Sequence, residues 1–338
     1  MRTVARCRAG EIEKRMMRVK LERELQGIRT VAIAGHVRPD GDCVGACIGL
    51  KHYIRDNFAQ IEADLWLEQP DPKFSILEGF DGIREADGIA REYDLFIALD
   101  CASCERLGDA KLYFDHAKKT VCIDHHVSNP GYALVNEIDK DASSSCEVLC
   151  RMMEPEKISK ETAAALYTGI AHDTGVFQYG CTSPDTMRMA AMLMEKGIPY
   201  TKLLEETFYK KTYRQNQILG KALLESMRIL DGRGIVSVVR RKELTFFGVT
   251  PLDLDGIVSQ LKMTEGVEVA IFLYETDNLE YKVSLRSRET VDVSEVASYF
   301  GGGGHVRAAG VTMKGTFHDI VNNLTLHIEH QLAEQEEE

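Results

Sequence analysis

Short apolar segments rich in β-branched residues alternate with helical segments through the first half of the chain. The strand-like segments cover residues 30–35, 61–67, 94–100 and 120–124, and a helical pattern at 42–58 separates the first two. Continuous apolar strands separated by helices are typical of a parallel sheet that is covered on both faces. The sequence therefore predicts an α/β first domain built on a parallel sheet.

Three of these strands end in polar side chains, at His36, Asp100 and Asp124. Open α/β sheets bind their ligands beyond the carboxyl ends of the strands. We therefore expect a functional site at that edge of the sheet.

The second half of the chain begins with helical patterns and ends with a second set of strands. A stretch rich in Lys, Glu and Gln at about 200–230 predicts one polar connector helix. Strands at 234–241, 267–274 and 279–286, with helices between them, predict a smaller α/β domain. The expected organisation is an N-terminal extension (1–28), a first domain (29–198), the connector helix (199–230) and a second domain (231–333).

Composition narrows the class of protein. A chain of 338 residues with 44% hydrophobic residues can bury two cores. Nine cysteines without an apolar signal segment predict a cytoplasmic protein with reduced thiols. No apolar run approaches the roughly 18 residues of a membrane span. A net charge of −12 disfavours a surface that grips long duplex nucleic acid but permits a short anionic substrate.

Both ends of the chain are unusual in composition. The first sixteen residues are basic with few apolar positions, and an extension or an upstream start is favoured over a transit peptide because Glu11 and Glu13 interrupt them. The acidic tail at 334–338 is expected to be disordered.

The sequence GHVRPDGD at 35–42 stands where the first strand ends and a helix begins. Its His36, Asp40 and Asp42 can direct one imidazole and two carboxylates into one space, and divalent metals accept such mixed nitrogen and oxygen ligands. A helix-capping aspartate beside a loop histidine explains this segment equally well when it is taken alone.

Further side chains of the same types follow at Asp100 and at Asp124, His125 and His126. A single aspartate at a strand end is commonly structural, but two adjacent histidines behind an aspartate at a buried strand end must find partners or bind something. Asp173, at the end of an apolar helix, is explained in isolation as a turn residue.

Four glycines at 301–304 precede His305 and Arg307. Glycines let the backbone approach a ligand and direct N–H groups at an anion. A flexible linker is the alternative interpretation of a glycine run alone.

All these clusters stand in the order found in the DHH phosphoesterase family, which the chain resembles from about residue 31 to its final helix. The triplet that names the family is matched by residues 124–126. The resemblance implies hydrolysis of phosphate esters by a parallel-sheet catalytic domain with two divalent metal ions. It implies that one ion is held by His36, Asp40 and Asp100, and the other by Asp42, Asp100, His125 and Asp173. It also implies catalytic roles for Asp100, which would bridge the ions, and for His126, which would contact the substrate phosphate and be oriented by Asp124.

The second domain resembles the DHH-associated domain that reads substrate phosphate. The implied substrate-binding residues are His126, Arg286, Gly302, Gly303, Gly304, His305 and Arg307. Length and motif order are similar to the subgroup of oligoribonucleases and 3′-phosphoadenosine 5′-phosphate phosphatases, which implies very short single-stranded oligoribonucleotides and nucleotides as substrates. Hydrolysis of cyclic or linear dinucleotides stays open as an alternative. A non-catalytic nucleotide-binding regulator is a weaker one, because every implied ligand position is filled.

The implied ligand set also indicates the metal. Histidine nitrogens mixed with carboxylates favour Mn²⁺, with Mg²⁺ or Co²⁺ as alternatives. A homodimer and the cleavage polarity are left open. Cys101 and Cys104 form a lone CxxC motif with no second pair at zinc-finger spacing, which disfavours a structural zinc site. The cysteines at 43, 47, 146 and 150 are expected on buried helix faces, and His172, next to Asp173, is expected at most to support the ligands.

Overall fold

The computed structural model describes residues 20–334 of the chain. Contacts between Cα atoms divide the chain after Lys210 into two compact units. The expectations for the first sixteen residues and for the acidic tail lie outside the described residues. Within the part that is described, no helix is long and apolar enough to cross a membrane.

The first unit contains a five-stranded parallel sheet, which confirms the predicted α/β class. In spatial order the strands are β2 (Glu62–Trp66), β1 (Thr30–Ala34), β3 (Leu95–Leu99), β4 (Thr120–Asp124) and β5 (Val135–Ile138). Every residue of β3 and β4 is buried, so both appear in the sequence as continuous apolar runs. The edge strand β5 is largely half-buried and was not predicted.

Seven α-helices accompany this sheet in the described part of the first unit. They are α1 (Leu21–Glu24), α2 (Gly41–Asn57), α3 (Lys111–His116), α4 (Ser145–Met152), α5 (Lys160–Asp173), α6 (Pro184–Glu195) and α7 (Tyr200–Leu204). Helices α2, α4 and α5 pack on one face of the sheet around a large apolar core. A smaller aromatic cluster that includes Trp66, Phe96 and Tyr113 covers the other face. Both faces of the sheet are therefore covered.

The prediction of a single connector helix at 199–230 was wrong. Helix α7 continues in a π-helical turn at Glu205–Tyr209, and a new helix, α8, begins at Tyr213 and ends at Leu224. The physical reason is a capping box: the Thr212 hydroxyl accepts a hydrogen bond from the N–H of Gln215, whose side chain accepts one from the N–H of Thr212. The domain bounds expected from the sequence stay a prediction.

The second unit contains a six-stranded mixed sheet. In spatial order its strands are β10 (Gly303–His305), β11 (Ala308–Lys314), β9 (Glu280–Ser287), β8 (Val269–Asp277), β7 (Gly234–Val239) and β6 (Met227–Ile229). Only the pair formed by β7 and β8 is parallel. Helices α9 (Arg241–Phe247), α10 (Ile257–Lys262), α11 (Val293–Tyr299) and α12 (Phe317–Glu334) complete the unit. The predicted smaller α/β domain is thus present.

Candidate metal centre

The histidines and aspartates implied as metal ligands all lie at the carboxyl edge of the first sheet. His36 follows β1, Asp100 follows β3 and Asp124 ends β4. Asp40 caps the start of α2 and Asp173 is the last residue of α5. Within residues 20–334, three overlapping groups each have donor atoms within 4.8 Å of one another. They are His36 with Cys43 and Asp100, Asp100 with His125 and His126, and Asp42 with His125 and Asp173.

Close packing of α2 on α5 brings ligands from distant parts of the chain together. A Cβ atom at Gly45 would lie 2.5 Å from the carbonyl oxygen of Ala165. A Cβ atom at Gly169 would lie 2.2 Å from Sγ of Cys146 and 2.9 Å from Oδ1 of Asp42. The two helices can approach this closely because glycine occupies the contact positions.

The first group surrounds His36. Its Nε2 lies 3.4 Å from Oδ2 of Asp100 and 3.7 Å from Oδ2 of Asp40. Its Nδ1 lies 2.9 Å from the carbonyl oxygen of Val37, a contact that places the proton on Nδ1 and leaves Nε2 toward the carboxylates. Cys43 lies in the same group and is fully buried, and burial raises the pKa of its thiol well above the ordinary value. Its place in the apolar core agrees with the packing role expected for Cys43.

Another group contains Asp42, His125 and Asp173. Nε2 of His125 lies 3.1 Å from Oδ2 of Asp173 and 3.7 Å from Oδ1 of Asp100. Since the other oxygen of Asp100 faces His36, this carboxylate lies between the two groups.

The charges of the centre fit divalent cations. Burial and the neighbouring charges of Asp100 and Asp173 raise the pKa of Asp42 well above the ordinary value. Burial opposes charge on both histidines, but hydrogen bonds to carboxylates raise the pKa of His36 to about 11 and that of His125 to about 10. The cluster thus attracts positive charge strongly. The donor set of imidazole nitrogens and carboxylate oxygens is one that Mn²⁺ and similar ions accept.

His126 is oriented by a chain of buried hydrogen bonds. Its Nδ1 lies 2.7 Å from Oδ1 of Asp124, and the other oxygen of Asp124 accepts a hydrogen bond of 2.6 Å from the amide of Asn129. Asp124 is fully buried. The hydrogen bond to Asp124, with a smaller opposing effect of burial, raises the pKa of His126. The ring is therefore held with Nδ1 inward and Nε2 free for another partner.

Sequence reasoning missed several residues that hydrogen-bond to the aspartates of the candidate site. Asn129 supports Asp124, and the start of α4 supports Asp42 through the N–H groups of Ser145 and Cys146, at 2.6 and 3.0 Å. The signal available was the run of three serines at 143–145 ahead of an apolar helix. His172, expected beside the ligands, packs against Gly41 and contacts the hydroxyl of Thr207.

The glycine-rich segment of the second unit forms strand β10. A Cβ atom at Gly302 or Gly304 would lie 2.4 Å from a carbonyl oxygen of β11, so both glycines permit close strand pairing. His305 pairs with Ala308, which pairs with Arg286 on β9. Paired residues of antiparallel strands project from one face, so His305 and Arg286 flank the small Ala308. The exposed Arg307 donates a hydrogen bond of 2.8 Å to the carbonyl oxygen of Val291.

Comparisons with known proteins agree with this architecture. The profile of the DHH family, N-terminal domain, matches residues 30–170, and that of the DHHA1 domain matches residues 231–333. A Streptococcus mutans protein described as a probable bifunctional oligoribonuclease and PAP phosphatase NrnA is 30% identical over 292 residues, which cover 85% of this chain and 90% of that protein. A Bacillus subtilis protein described as a bifunctional oligoribonuclease and PAP phosphatase NrnA is 28% identical over 304 residues, covering 88% and 93%.

A solved structure shows the same fold. The crystal structure of an exopolyphosphatase-related protein from Bacteroides fragilis superposes with a TM-score of 0.83 at 23% identity, covering 91% of this chain and 94% of that one. The chain belongs to the DHH phosphoesterase family and carries the DHHA1 domain. It is a hydrolase that acts on phosphate ester bonds.

Proposed function

We propose that this chain is a metal-dependent phosphoesterase that hydrolyses very short oligoribonucleotides and 3′-phosphoadenosine 5′-phosphate. The observation that carries the proposal is the position of Asp100 between His36 and His125, with one oxygen toward each histidine. The two relatives named above as oligoribonuclease and PAP phosphatase, which align over most of their length, support the substrate class.

In this proposal two divalent ions are held by the residues grouped around Asp100. One ion would be held by His36, Asp40 and Asp100, and the other by Asp42, Asp100, His125 and Asp173. Such ions polarise the phosphoryl group and stabilise the negative charge that develops on it. The nitrogen and oxygen donor set favours Mn²⁺.

His126 supplies proton transfer in this proposal. Asp124 holds Nδ1 and favours the protonated ring, so Nε2–H can donate to a phosphate oxygen or to the leaving oxygen. A hydroxide oxygen that comes from water would form the new bond to phosphorus as the P–O bond to the leaving group breaks. The electron pair of the broken bond remains on the leaving oxygen, and the proton passes to that oxygen from Nε2 of His126.

The second unit is proposed to bind the terminal phosphate of the substrate. Arg286 offers a planar guanidinium suited to phosphate, and His305 lies across Ala308 from it. A Cβ atom added at Gly303 would meet nothing within 4 Å, so the backbone there is open to a ligand. Gly302, Gly304 and Arg307 keep this segment in place. A requirement for such a phosphate would select short substrates.

A substrate panel with Mn²⁺ tests the proposed function. A 5′-phosphorylated diribonucleotide and 3′-phosphoadenosine 5′-phosphate should be hydrolysed, a long single-stranded RNA should be cut far more slowly, and chelation should stop both reactions. Hydrolysis of a cyclic dinucleotide in preference to both small substrates, or no metal-dependent hydrolysis at all, would overturn the proposal.

A further inference from the structure

Three consecutive serines lead into α4, and each has a different partner. All three are buried. Ser143 donates its hydroxyl to Glu147, and Ser144 caps the helix by accepting a hydrogen bond of 3.0 Å from the N–H of Glu147. The hydroxyl of Ser145 instead lies 3.0 Å from Oδ1 of Asp100. Only the third serine of the run therefore contacts carboxylates of the metal centre.

Ser145 contacts three of those carboxylates at once. Its N–H donates to Oδ2 of Asp42 at 2.6 Å. Its hydroxyl lies 3.0 Å from Oδ1 of Asp100 and 3.4 Å from Oδ1 of Asp124. Asp100 follows β3, Asp124 ends β4 and Asp42 lies at the start of α2. Ser145 therefore links three separate elements that carry the site.

The hydroxyl proton of Ser145 has a favoured acceptor. A hydroxyl has one proton to donate, and the shorter distance favours Asp100 over Asp124. The oxygen of Asp100 that accepts it is the one nearer His125, whereas the other oxygen faces His36. Donation to one oxygen restricts rotation of the whole carboxylate. Ser145 is fully buried, so its hydroxyl is shielded from bulk water.

We propose that Ser145 is a positioning residue that holds Asp100 with one carboxylate oxygen toward His36 and the other toward His125. This inference rests on the metal role proposed for Asp100, and it assigns Ser145 no contact with substrate. Partners that orient a metal ligand typically affect metal affinity by about 10- to 100-fold when they are removed. We therefore expect Ser145 to influence metal binding directly and helix stability only secondarily.

The neighbouring serine provides a matched control. Ser144→Ala removes the cap of the same helix without touching Asp42, Asp100 or Asp124, and should lower the melting temperature by about 2 to 4 °C. Ser145→Ala removes the hydrogen bond to Asp100 but leaves the backbone donor to Asp42. Ser145→Cys fills nearly the same space with a weak donor, and so separates loss of volume from loss of the hydrogen bond.

The test is Mn²⁺ binding by isothermal titration calorimetry on the full-length chain, with folding checked by circular dichroism. Ser145→Ala and Ser145→Cys should each weaken Mn²⁺ binding by about 10- to 100-fold, while Ser144→Ala binds as the unmodified chain does. If Ser145→Ala does not fold, Ser145→Cys decides. Unchanged affinity in the folded Ser145 variants, or an equal loss in Ser144→Ala, would overturn the inference. Mn²⁺ binding is measured without substrate. The result therefore tests the role of Ser145 even if the proposed substrates are not hydrolysed.

Discussion

Nε2 of His125 lies 3.1 Å from Oδ2 of Asp173, although one residue follows a β-strand and the other ends a helix. Asp173 ends α5, and α5 packs closely on α2, where glycines remove the side chains that would separate the two helices. The geometry of the metal centre and the packing of the core are therefore linked.

Changing Gly169 to alanine tests this link. The added methyl group would press on Cys146 and Asp42, so we expect Gly169→Ala to destabilise the chain by about 1 to 3 kcal/mol and to weaken Mn²⁺ binding. Gly220 is the matched control, because it also lies within a helix and has nothing within 4 Å of an added Cβ atom. Gly220→Ala should stabilise the chain by about 1 kcal/mol. Urea unfolding measures the change in the free energy of unfolding for both variants. A change in the same direction in both would contradict this explanation.

A second prediction concerns Asp124. Replacing it with asparagine keeps the size but removes the charge, and the amide can donate a hydrogen bond to Nδ1 of His126, which reverses the tautomer. By analogy with aspartates that orient catalytic histidines, we expect Asp124→Asn to lower kcat by at least about 100-fold. Steady-state kinetics on a 5′-phosphorylated diribonucleotide provide the measurement. Turnover within a factor of two of the unmodified enzyme would exclude the proposed role of His126.

A third prediction concerns Arg286 and the length of the substrate. A charge-assisted hydrogen bond contributes about 1.5 to 3 kcal/mol, so Arg286→Ala should reduce kcat/KM for 5′-phosphorylated dinucleotides by roughly 10- to 150-fold. Hydrolysis of a small activated phosphodiester, which has no terminal phosphate to bind, should be retained.

Lys282 is the control for Arg286. It carries the same charge on the same strand and is exposed, but it pairs with Thr312 rather than with Ala308. Lys282→Ala should leave both reactions nearly unchanged. Equal damage to both substrates in Arg286→Ala would indicate that this residue supports the fold rather than phosphate binding.

Much of the first sheet could be predicted because its central strands are buried on both faces and appear as continuous apolar runs. The edge strand β5 could not, because half-buried strands lack that pattern. Strand β10 was also missed, since Gly303 and Gly304 have low intrinsic preference for strands and the strand depends on pairing with β11.

The candidate site also contains residues that could be predicted from the sequence and residues that could not. Residues of the kinds that bind metals, such as Asp100 and His125, could be recognised by type and by their position at strand ends. Residues that hydrogen-bond to the aspartates of the site could not be recognised, because Ser145 and Asn129 belong to residue types found at helix starts and turns. Their contacts with Asp100 and Asp124 form only when separate segments of the chain fold together. The polar composition of residues 200–230 does not reveal the break between the two helices, which lies before the capping box at Thr212.

The most direct test of the account is the number of Mn²⁺ ions bound per chain, measured by calorimetry together with metal analysis after removal of excess ion. We predict two ions for the unmodified chain. The Asp100 carboxylate lies between His36 and His125, so we predict that Asp100→Ala loses at least one ion. The variant should keep the fold but retain less than a few percent of the hydrolytic activity. Two ions bound by Asp100→Ala with activity near that of the unmodified chain would contradict the two-metal assignment.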